Sequence, residues 1–409
     1  MSKLQELIKE LCPDGVEFRK LGEVCEFING FAFKSSLFKD EGLPIIRITN
    51  INGISIDLSD VKFFDSRDYK SNLQSFSISF GDILIAMSGA TTGKIGYYDN
   101  EDIAYLNQRV GKFVPNVNVL NNRYLFHFLL SKTSELYIMA GGGAQPNLSS
   151  NKLMNELYIP LPPLEIQNEI VRILDTFTSH TAELQAELQA RKEQYEYYRN
   201  KLLTFDENDE GVKWMKLGEI GTFVRGNGLQ KKDFTETGFP CIHYGQIHTY
   251  YCTSANSTIS YTSNSLAEKL RKASYGDLII ATTSEDVDCV CKACAWLGEN
   301  DVAISGDAYV FRHNQNPKYV SYLFQTKLFY ELKKKAATGT KVIRVSGESM
   351  EKFLLPFPPF SEQQHIVSIL DKFEFLVNDL TAGLPAEIAA VQEQYEYYRN
   401  KLLTFERKS

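Results

Sequence analysis

The sequence predicts an α+β protein built twice over: two similar globular α/β domains separated by two long antiparallel coiled-coil helices, together a pseudo-two-fold internal repeat. Three observations predict it. The string EQYEYYRNKLLTF occurs at residues 193–205 and again at 393–405, and long identity within one chain marks two copies of one architectural unit. Shorter islands return in the same order. KLGEV at Lys20 returns as KLGEI at Lys216, GLPII at Gly42 as GFPCI at Gly238, GDILIA at Gly81 as GDLIIA at Gly276, and YIPLPP at Tyr158 as LLPFPP at Leu354. Finally, each Pro-Pro pair (Pro162-Pro163 and Pro358-Pro359) opens a stretch whose apolar residues recur at alternating three- and four-residue steps, the seam of a coiled coil.

The divisions that follow are a leader with the first globular domain over residues 1–160 and a conserved helix over 161–210. A second globular domain covers 211–356 and a second helix 357–409. In the leader, Leu4, Leu7, Ile8 and Leu11 fall at helical spacing. Each domain then carries an apolar strand after its Gly-Asp pair, clearest at residues 83–87. A helix is expected at residues 124–137 in the first domain and 319–335 in the second. The glycine run Gly141-Gly142-Gly143 reads as a loop.

The helical seams are longer. The first runs through Ile170, Ile173, Phe177, Thr181, Leu184, Leu188, Arg191, Tyr195, Tyr198 and Leu202; the second runs from Ile366 through Phe373, Leu376, Leu380, Leu384 and Ile388 to Tyr395, Tyr398 and Leu402. About forty helical residues span roughly 60 Å at 1.5 Å each. Proline starts helices well and breaks them inside. The Pro-Pro pairs therefore mark helix starts, Ser361 with Gln364 reads as a capping box, and Gly383 with Pro385 should kink or interrupt the second helix.

Composition bounds the class. With 43% hydrophobic and 23% charged residues in 409, the chain reads as a soluble protein with room for two or three cores. It shows no apolar run of bilayer length and no signal-peptide pattern. Seven cysteines, an odd number, point to a reducing compartment, so a cytoplasmic protein is expected. A net charge of −7 does not exclude nucleic acid, because a binding face needs only a local basic patch.

Catalytic motifs fail on spacing. Residues 88–94 (SGATTGK) follow a strand as a phosphate loop would. Yet only three residues separate Gly89 from Gly93, Ile95 replaces the Ser/Thr that holds magnesium, and the second half (TTSEDV from Thr282) lacks the glycines. Cys289, Cys291 and Cys294, with Cys241, Cys252 or His243, make a poor zinc set. Val287, Cys289, Cys291 and Ala293 alternate like a strand face, and the first half has no counterpart. Neither Pro-Pro pair follows an Asn or Asp that would grip an amino group for methylation. The chain reads as non-catalytic, with no cofactor and no metal.

What remains is a set of polar loops at equivalent places in the two domains. The first offers Lys34, Arg47, Asn50, Thr91, Thr92, Lys94, Asn107, Gln108, Arg109, Gln145 and Asn147. The second offers Arg225, Asn227, Lys231, His243, Tyr244, Gln246, Thr283, Ser305, Asp307, Thr340, Lys341 and Arg344. Arg, Asn and Gln grip guanine and adenine edges bidentately, whereas Lys finds phosphates. The positional coincidence across two repeats makes these the candidate DNA contacts.

With these residues in view, the chain resembles the specificity subunit of type I restriction–modification enzymes. The resemblance rests on the closing strings IVRILD…TAELQAEL…QYEYYRNKLLTF and IVSILD…TAGLPAEI…QYEYYRNKLLTF, supported by TTGK, LNQRVGK and GGAQPNLS in the first domain. It is closest to the subgroup with a four-residue TAEL-type repeat in the central helix; the second copy departs from that pattern as TAGL-PAEI.

The resemblance implies a subunit without catalysis of its own. Two variable target-recognition domains would each take one half of a bipartite asymmetric site in double-stranded DNA. The helices would set the gap and recruit two modification (methyltransferase) subunits, with restriction (endonuclease/translocase) subunits joining the complex. Tyr195, Tyr198, Arg199 and Leu202, with Tyr395, Tyr398, Arg399 and Leu402, are the candidate partner or helix-interface residues. Four further helical residues add about 6 Å and about 40°, close to the 34–36° turn of one base pair. One more four-residue unit after Leu184 should therefore widen the gap by about one base pair. The rival readings are a protein-binding coiled-coil scaffold and a stand-alone DNA methyltransferase or NTPase.

Overall fold

The computed structural model describes residues 3–143, 146–379 and 382–408. Gln145 of the glycine loop, Leu380 of the second seam and Thr381 of TAGL lie outside the described residues. The chain forms two compact units. One comprises Met1–Gln185 with Glu387–Ser409, the other Ala186–Ala386.

The first unit is organised by the strand Ile83–Ala86, whose residues are all buried. Successive strand side chains point to opposite faces. Accordingly Ile83 and Ile85 enter a core shared with helices, while Leu84 and Ala86 enter a second core with Ile46 and Leu106. The strand sits in a four-stranded antiparallel sheet ordered Cys25–Asn29, Val110–Pro115, Ile83–Ala86, Ile95–Tyr97. A second sheet is ordered Lys62–Phe64, Leu43–Ile46, Ala104–Leu106, Ser77–Ile78; it is mixed, because Leu43–Ile46 runs parallel to Ala104–Leu106. Phe18–Lys20 pairs with Tyr158–Pro160 to close the domain.

The second unit repeats this plan. Leu278 and Ile280 face the helical core, while Ile279 and Ala281 face the other. The sheet order Gly221–Arg225, Ala308–His313, Leu278–Ala281, Lys292–Trp296 matches the first unit strand for strand, with Ser254–Ala255 added at the edge. The second sheet (Tyr261–Thr262, Phe239–Ile242, Val302–Ile304, Lys272–Ala273) matches as well. The strand expected through Cys289 starts only at Lys292. Cys291 precedes it in a left-handed turn with φ 63°.

Both helices expected inside the domains are broken in two. Asn122–Ser131 ends where the Ser131 and Thr133 hydroxyls donate to the Phe128 and Leu130 carbonyls, and Thr133–Met139 follows. In the second unit Pro317–Leu323 stops, and Thr326 caps Lys327–Ala336 while donating back to the Leu323 carbonyl. Hydroxyl side chains that bond the local backbone compete with helix continuation, and the apolar periodicity does not register that competition.

The first long helix is a single element, Leu164–Leu202, of 39 residues. The second is interrupted, giving Phe360–Asn378 and Leu384–Leu402. At the break the Asp379 carboxylate accepts from the Ala382 amide, and Gly383 lies so close to the Phe375 and Asp379 carbonyls that a Cβ would come within 3 Å of both. Pro385 then starts the next helix, where its missing N–H is harmless. The capping box expected at Ser361 is absent: the helix begins one residue earlier, at Phe360, with Pro359 as N-cap and no side-chain cap bond. Buried glutamines tie each long helix to its domain. Gln167 donates to the Val119 and Pro162 carbonyls, and Gln363 to the Pro358 carbonyl.

Within each unit a ring stack joins segments of the two long helices. Phe177 stacks on Tyr398 at 5.5 Å, and Tyr198 on Phe373 at 5.4 Å. Each copy of the repeated string also enters the core of one unit. Tyr195 and Leu203 join the second unit's core, and Tyr395 and Leu403 the first's. In the second unit the string runs on covalently into the strand Lys213–Lys216. In the first unit its end is held by hydrogen bonds instead: Val16 N donates to the Glu406 carbonyl (2.9 Å), and Lys408 N to that of Val16 (3.0 Å). Gly15, at φ 92°, permits this approach, since a Cβ there would lie 2.8 Å from the Glu406 oxygen.

Candidate nucleic-acid interface

In the first unit five loops are tied into one face by backbone bonds. Gly30 N donates to Val110 O, Asn107 N to Ile46 O, Met87 N to Arg109 O, Gly89 N to Pro146 O, and Leu148 N to Met87 O. The second unit repeats the pattern, with Gly226 N to Ala308 O, Ser305 N to Ile242 O, Thr282 N to Asp307 O and Val345 N to Thr282 O. Most of the polar residues nominated from sequence, Gln145 excepted because it lies outside the described residues, lie in or next to these tied loops.

On each face some of these side chains are spent on holding loops. Asn50 is buried; its amide donates to the Asp57 and Asp60 carbonyls and its oxygen accepts from the Arg47 amide. The Thr92 hydroxyl, also buried, bonds the Gly89 and Pro146 carbonyls, and Thr91 bonds that of Ile48. Arg47 is half-buried and reaches Asp60. In the second unit the Ser305 hydroxyl, 1% exposed, accepts from the Tyr244 amide. Gln246 bridges the His243 amide and Ser260. His243 is buried, its Nδ1 accepts from the Gly245 amide, and burial lowers its pKa, so the ring is neutral. Asn227 grips the Lys269 carbonyl and the Arg271 amide. Thr283 is buried and donates to Asp307.

The exposed remainder is Lys34, Gln108, Arg109 and Asn147 on the first face, with Lys94, Thr91 and Asn107 half-buried. On the second it is Arg225, Lys231, Thr340, Lys341 and Arg344, with Tyr244 and Asp307 half-buried and Asn227 exposed although engaged by its two bonds. Lys232, Lys269 and Arg271, not among the residues nominated from sequence, are also exposed beside these loops. The KLRK run at residues 269–272, just ahead of the repeated Gly-Asp pair, was the available signal.

The Gly89 loop is not a phosphate cradle. Gly89 and Gly93 have positive φ, but the amides that such a loop would offer are used internally: Thr92 N to Gly89 O, Gly93 N to Ala86 O and Lys94 N to Thr91 O. All seven cysteines are free; burial pushes the Cys291 thiol up to about 12. Among the described residues no group of His, Cys, Asp or Glu is placed to hold a metal, and no helix is long and apolar enough to cross a membrane.

The candidate partner or helix-interface residues divide by burial and partner. Tyr195 and Tyr395 are core residues, 6% and 8% exposed, and the Tyr395 hydroxyl lies 2.9 Å from His127 Nδ1. Arg199 and Arg399 sit over those rings, each at 5.2 Å. Tyr198 and Tyr398 stack against helix partners, and Leu202 and Leu402 are half-buried beside the more deeply buried Leu203 and Leu403. The residues of the string that are exposed in both copies are Glu193, Glu196, Tyr197, Asn200, Lys201 and Thr204 with their counterparts Glu393, Glu396, Tyr397, Asn400, Lys401 and Thr404. Tyr197 is 60% exposed and Tyr397 58%.

Comparison with known proteins adds the family dimension. The family described as type I restriction modification DNA specificity domain matches the chain twice, at residues 13–194 and 209–390. A Haemophilus influenzae protein named as putative type I restriction enzyme specificity subunit S.HindORF215P is 31% identical, over 95% of this chain and 96% of its own length. The Escherichia coli EcoR124I/EcoR124II specificity subunit is 34% identical over 69% of this chain and 70% of its own. Among solved structures, one from a study of type I R-M complex assembly and conformational transition superposes with a TM-score of 0.60 at 19% identity, covering 96% of this chain and 98% of that one. The S subunit from M. genitalium gives 0.56 at 15% identity over 95% and 96%.

Proposed function

The chain belongs to the type I restriction modification DNA specificity family, and from that premise we propose that it is the DNA-reading subunit of a multisubunit modification and restriction enzyme. One observation carries this reading: two domains of matching topology present equivalent faces of tied loops with different side chains, while the helices that follow repeat a thirteen-residue string without change. Different faces on one scaffold suit two different half-sites. Identical helices suit two copies of one partner, arranged about a pseudo-two-fold axis.

Residues 1–160 and 211–356 then act as recognition domains, each taking one half of a gapped, asymmetric site in double-stranded DNA. Lys34, Lys94, Lys231 and Lys341 supply phosphate contacts, which position the protein without reading sequence. Arg109, Gln108, Asn147, Arg225 and Arg344 carry the side-chain types that distinguish bases. Gln145, in the glycine loop, belongs with this second group. Asn50, Thr92, Thr283 and Ser305 hold the loops in shape. Methyl transfer and cleavage belong to the partner subunits: two modification subunits held by the helices, and restriction subunits joining the complex.

The test is genome-wide mapping of methylated adenine in cells that carry this chain with its modification subunit, beside cells that lack the chain. A gapped, asymmetric motif seen only with the chain is the expected result. Its absence from an assembled complex would return the chain to the scaffold reading.

A further inference from the structure

The strand register of the two units fixes an equivalence at the mouth of each recognition face. In the first unit Cys25–Asn29 pairs with Val110–Pro115, Asn29 opposite Gly111; in the second Gly221–Arg225 pairs with Ala308–His313, Arg225 opposite Tyr309. Arg225 thus stands where the first unit has Asn29, and Asp307 where it has Arg109. The arginine changes strands between the units, and an aspartate takes its old place.

That aspartate is engaged from within the protein through one oxygen. Asp307 Oδ1 accepts from the Thr283 hydroxyl at 3.3 Å and lies 4.0 Å from Arg225 Nη2. Arg225 Nε donates to the Gly306 carbonyl at 3.0 Å. The guanidinium is therefore held from the protein side by a carbonyl and a carboxylate, yet its side chain remains 63% exposed. Arg109 in the first unit makes no side-chain hydrogen bond or ion pair among the described residues. A carboxylate left bare on a DNA-binding face repels phosphate. One locked behind an arginine removes rotamer freedom that binding would otherwise have to freeze.

We infer that Arg225 reads a guanine in the half-site of the second recognition domain and that Asp307, itself held by Thr283, is its positioning residue. Arginine fits the O6 and N7 acceptors of guanine bidentately, a planar fork that lysine does not offer. This inference rests on the DNA-reading role proposed above and assigns one contact within it.

The experiment is methylated-adenine mapping in cells that express the modification subunit with wild-type chain, Arg225→Lys or Asp307→Asn, with co-purification of the subunits scored in each. The wild-type map tests the underlying reading by itself: an assembled complex with no gapped motif defeats that reading whatever the variants do. Given a motif, Arg225→Lys should relax one guanine position of one half-site by roughly tenfold or more and leave the other half-site intact. Asp307→Asn should relax the same position to a smaller degree, and it leaves Arg225 in place should its own packing be disturbed. An unchanged motif in Arg225→Lys overturns the inference. So does a uniform fall in methylation at every site, which marks a phosphate contact, and so does a wild-type motif lacking guanine. Relaxation with Arg225→Lys but none with Asp307→Asn removes Asp307 from the assignment.

Discussion

The two units teach most when set side by side at the place where each receives a copy of the repeated string. In the second unit the string enters the core through Tyr195 and Leu203 and continues covalently into the domain. In the first, Tyr395 and Leu403 occupy the matching positions, but the string arrives from the far end of the chain and is held by packing and a few backbone bonds. Around the strings the networks have diverged. The first unit has His127 between Tyr395 and Asp175, whereas the second has Tyr322 bonded to Asp371 and Glu374. Similar packing is thus obtained from unequal chain connectivity, and that inequality can be broken experimentally.

The largest effect should come from deleting residues 387–409. This strips Tyr395 and Leu403 from the first unit's core and leaves the second unit's own copy in place. Loss of a buried leucine alone costs about 2–5 kcal/mol, so amide protection at Ile83–Ala86 should collapse while that at Leu278–Ala281 survives. Equal protection of both strands in hydrogen exchange would contradict the unit boundaries.

Next come Leu203→Ala and Leu403→Ala, each lowering the stability of its own unit by about 2–5 kcal/mol. Leu203 is 1% and Leu403 7% exposed, so the two values should agree within about 1 kcal/mol in denaturant titrations. A much smaller value for Leu403 would mean that the non-covalent copy packs less well.

Acid should reach the two units through different histidines. His313 is pushed down to about 4 by burial, in the register position that Pro115 fills in the first unit. Because its folded pKa is depressed, the stability it contributes is complete above about 6.5 and is lost as pH falls toward 4. The loss is at most about 3 kcal/mol, since each pH unit between the unfolded and folded values is worth about 1.36 kcal/mol. His127 follows the same sign: burial lowers it, partly offset by Asp175. Replacing His313 with Phe should reduce the second unit's loss of stability between about pH 6.5 and 4, the remainder coming in part from His243, whose pKa burial also lowers, and leave the first unit's slope unchanged. Urea titrations followed by hydrogen exchange, at neutral pH and again at about pH 4.5, would resolve the two.

The smallest effect on stability is expected from Tyr197→Ala and Tyr397→Ala, within about 0.5 kcal/mol because both rings are exposed. If the identical strings recruit identical partners, each change should loosen one modification subunit, and the pair should loosen both, as counted by native mass spectrometry. Full assembly of the double variant would leave the exposed tyrosines without a role in recruitment.

Much of the scaffold was legible in the residues because it is written locally or by period. The apolar run after each Gly-Asp pair became the central strand, the Pro-Pro pairs opened the long helices, and Gly383 with Pro385 interrupted the second one. The breaks inside the domain helices were not legible, because they depend on hydroxyls bonding back to particular carbonyls. Nor did a seam pattern tell Tyr195, a core residue, from Tyr197, an exposed one two positions away. On the two loop faces, residue type nominated Asn50 and Arg225 alike. Only the fold spends Asn50 on two carbonyls and holds Arg225 by one side while much of it stays exposed.

By itself the sequence determined the duplication, the alternation of variable domain and constant helix, and the failure of each catalytic spacing. Those are properties of order, period and composition along one dimension. The tertiary structure decided which copy of the string packs into which unit, which polar side chains hold loops and which remain exposed, and that the arginine stands on a different strand in each unit, with an aspartate of the second unit at the position of Arg109. Each of these is a matter of burial and partnering between residues far apart in the chain, and the free energy of a side chain depends on those neighbours more than on its own identity.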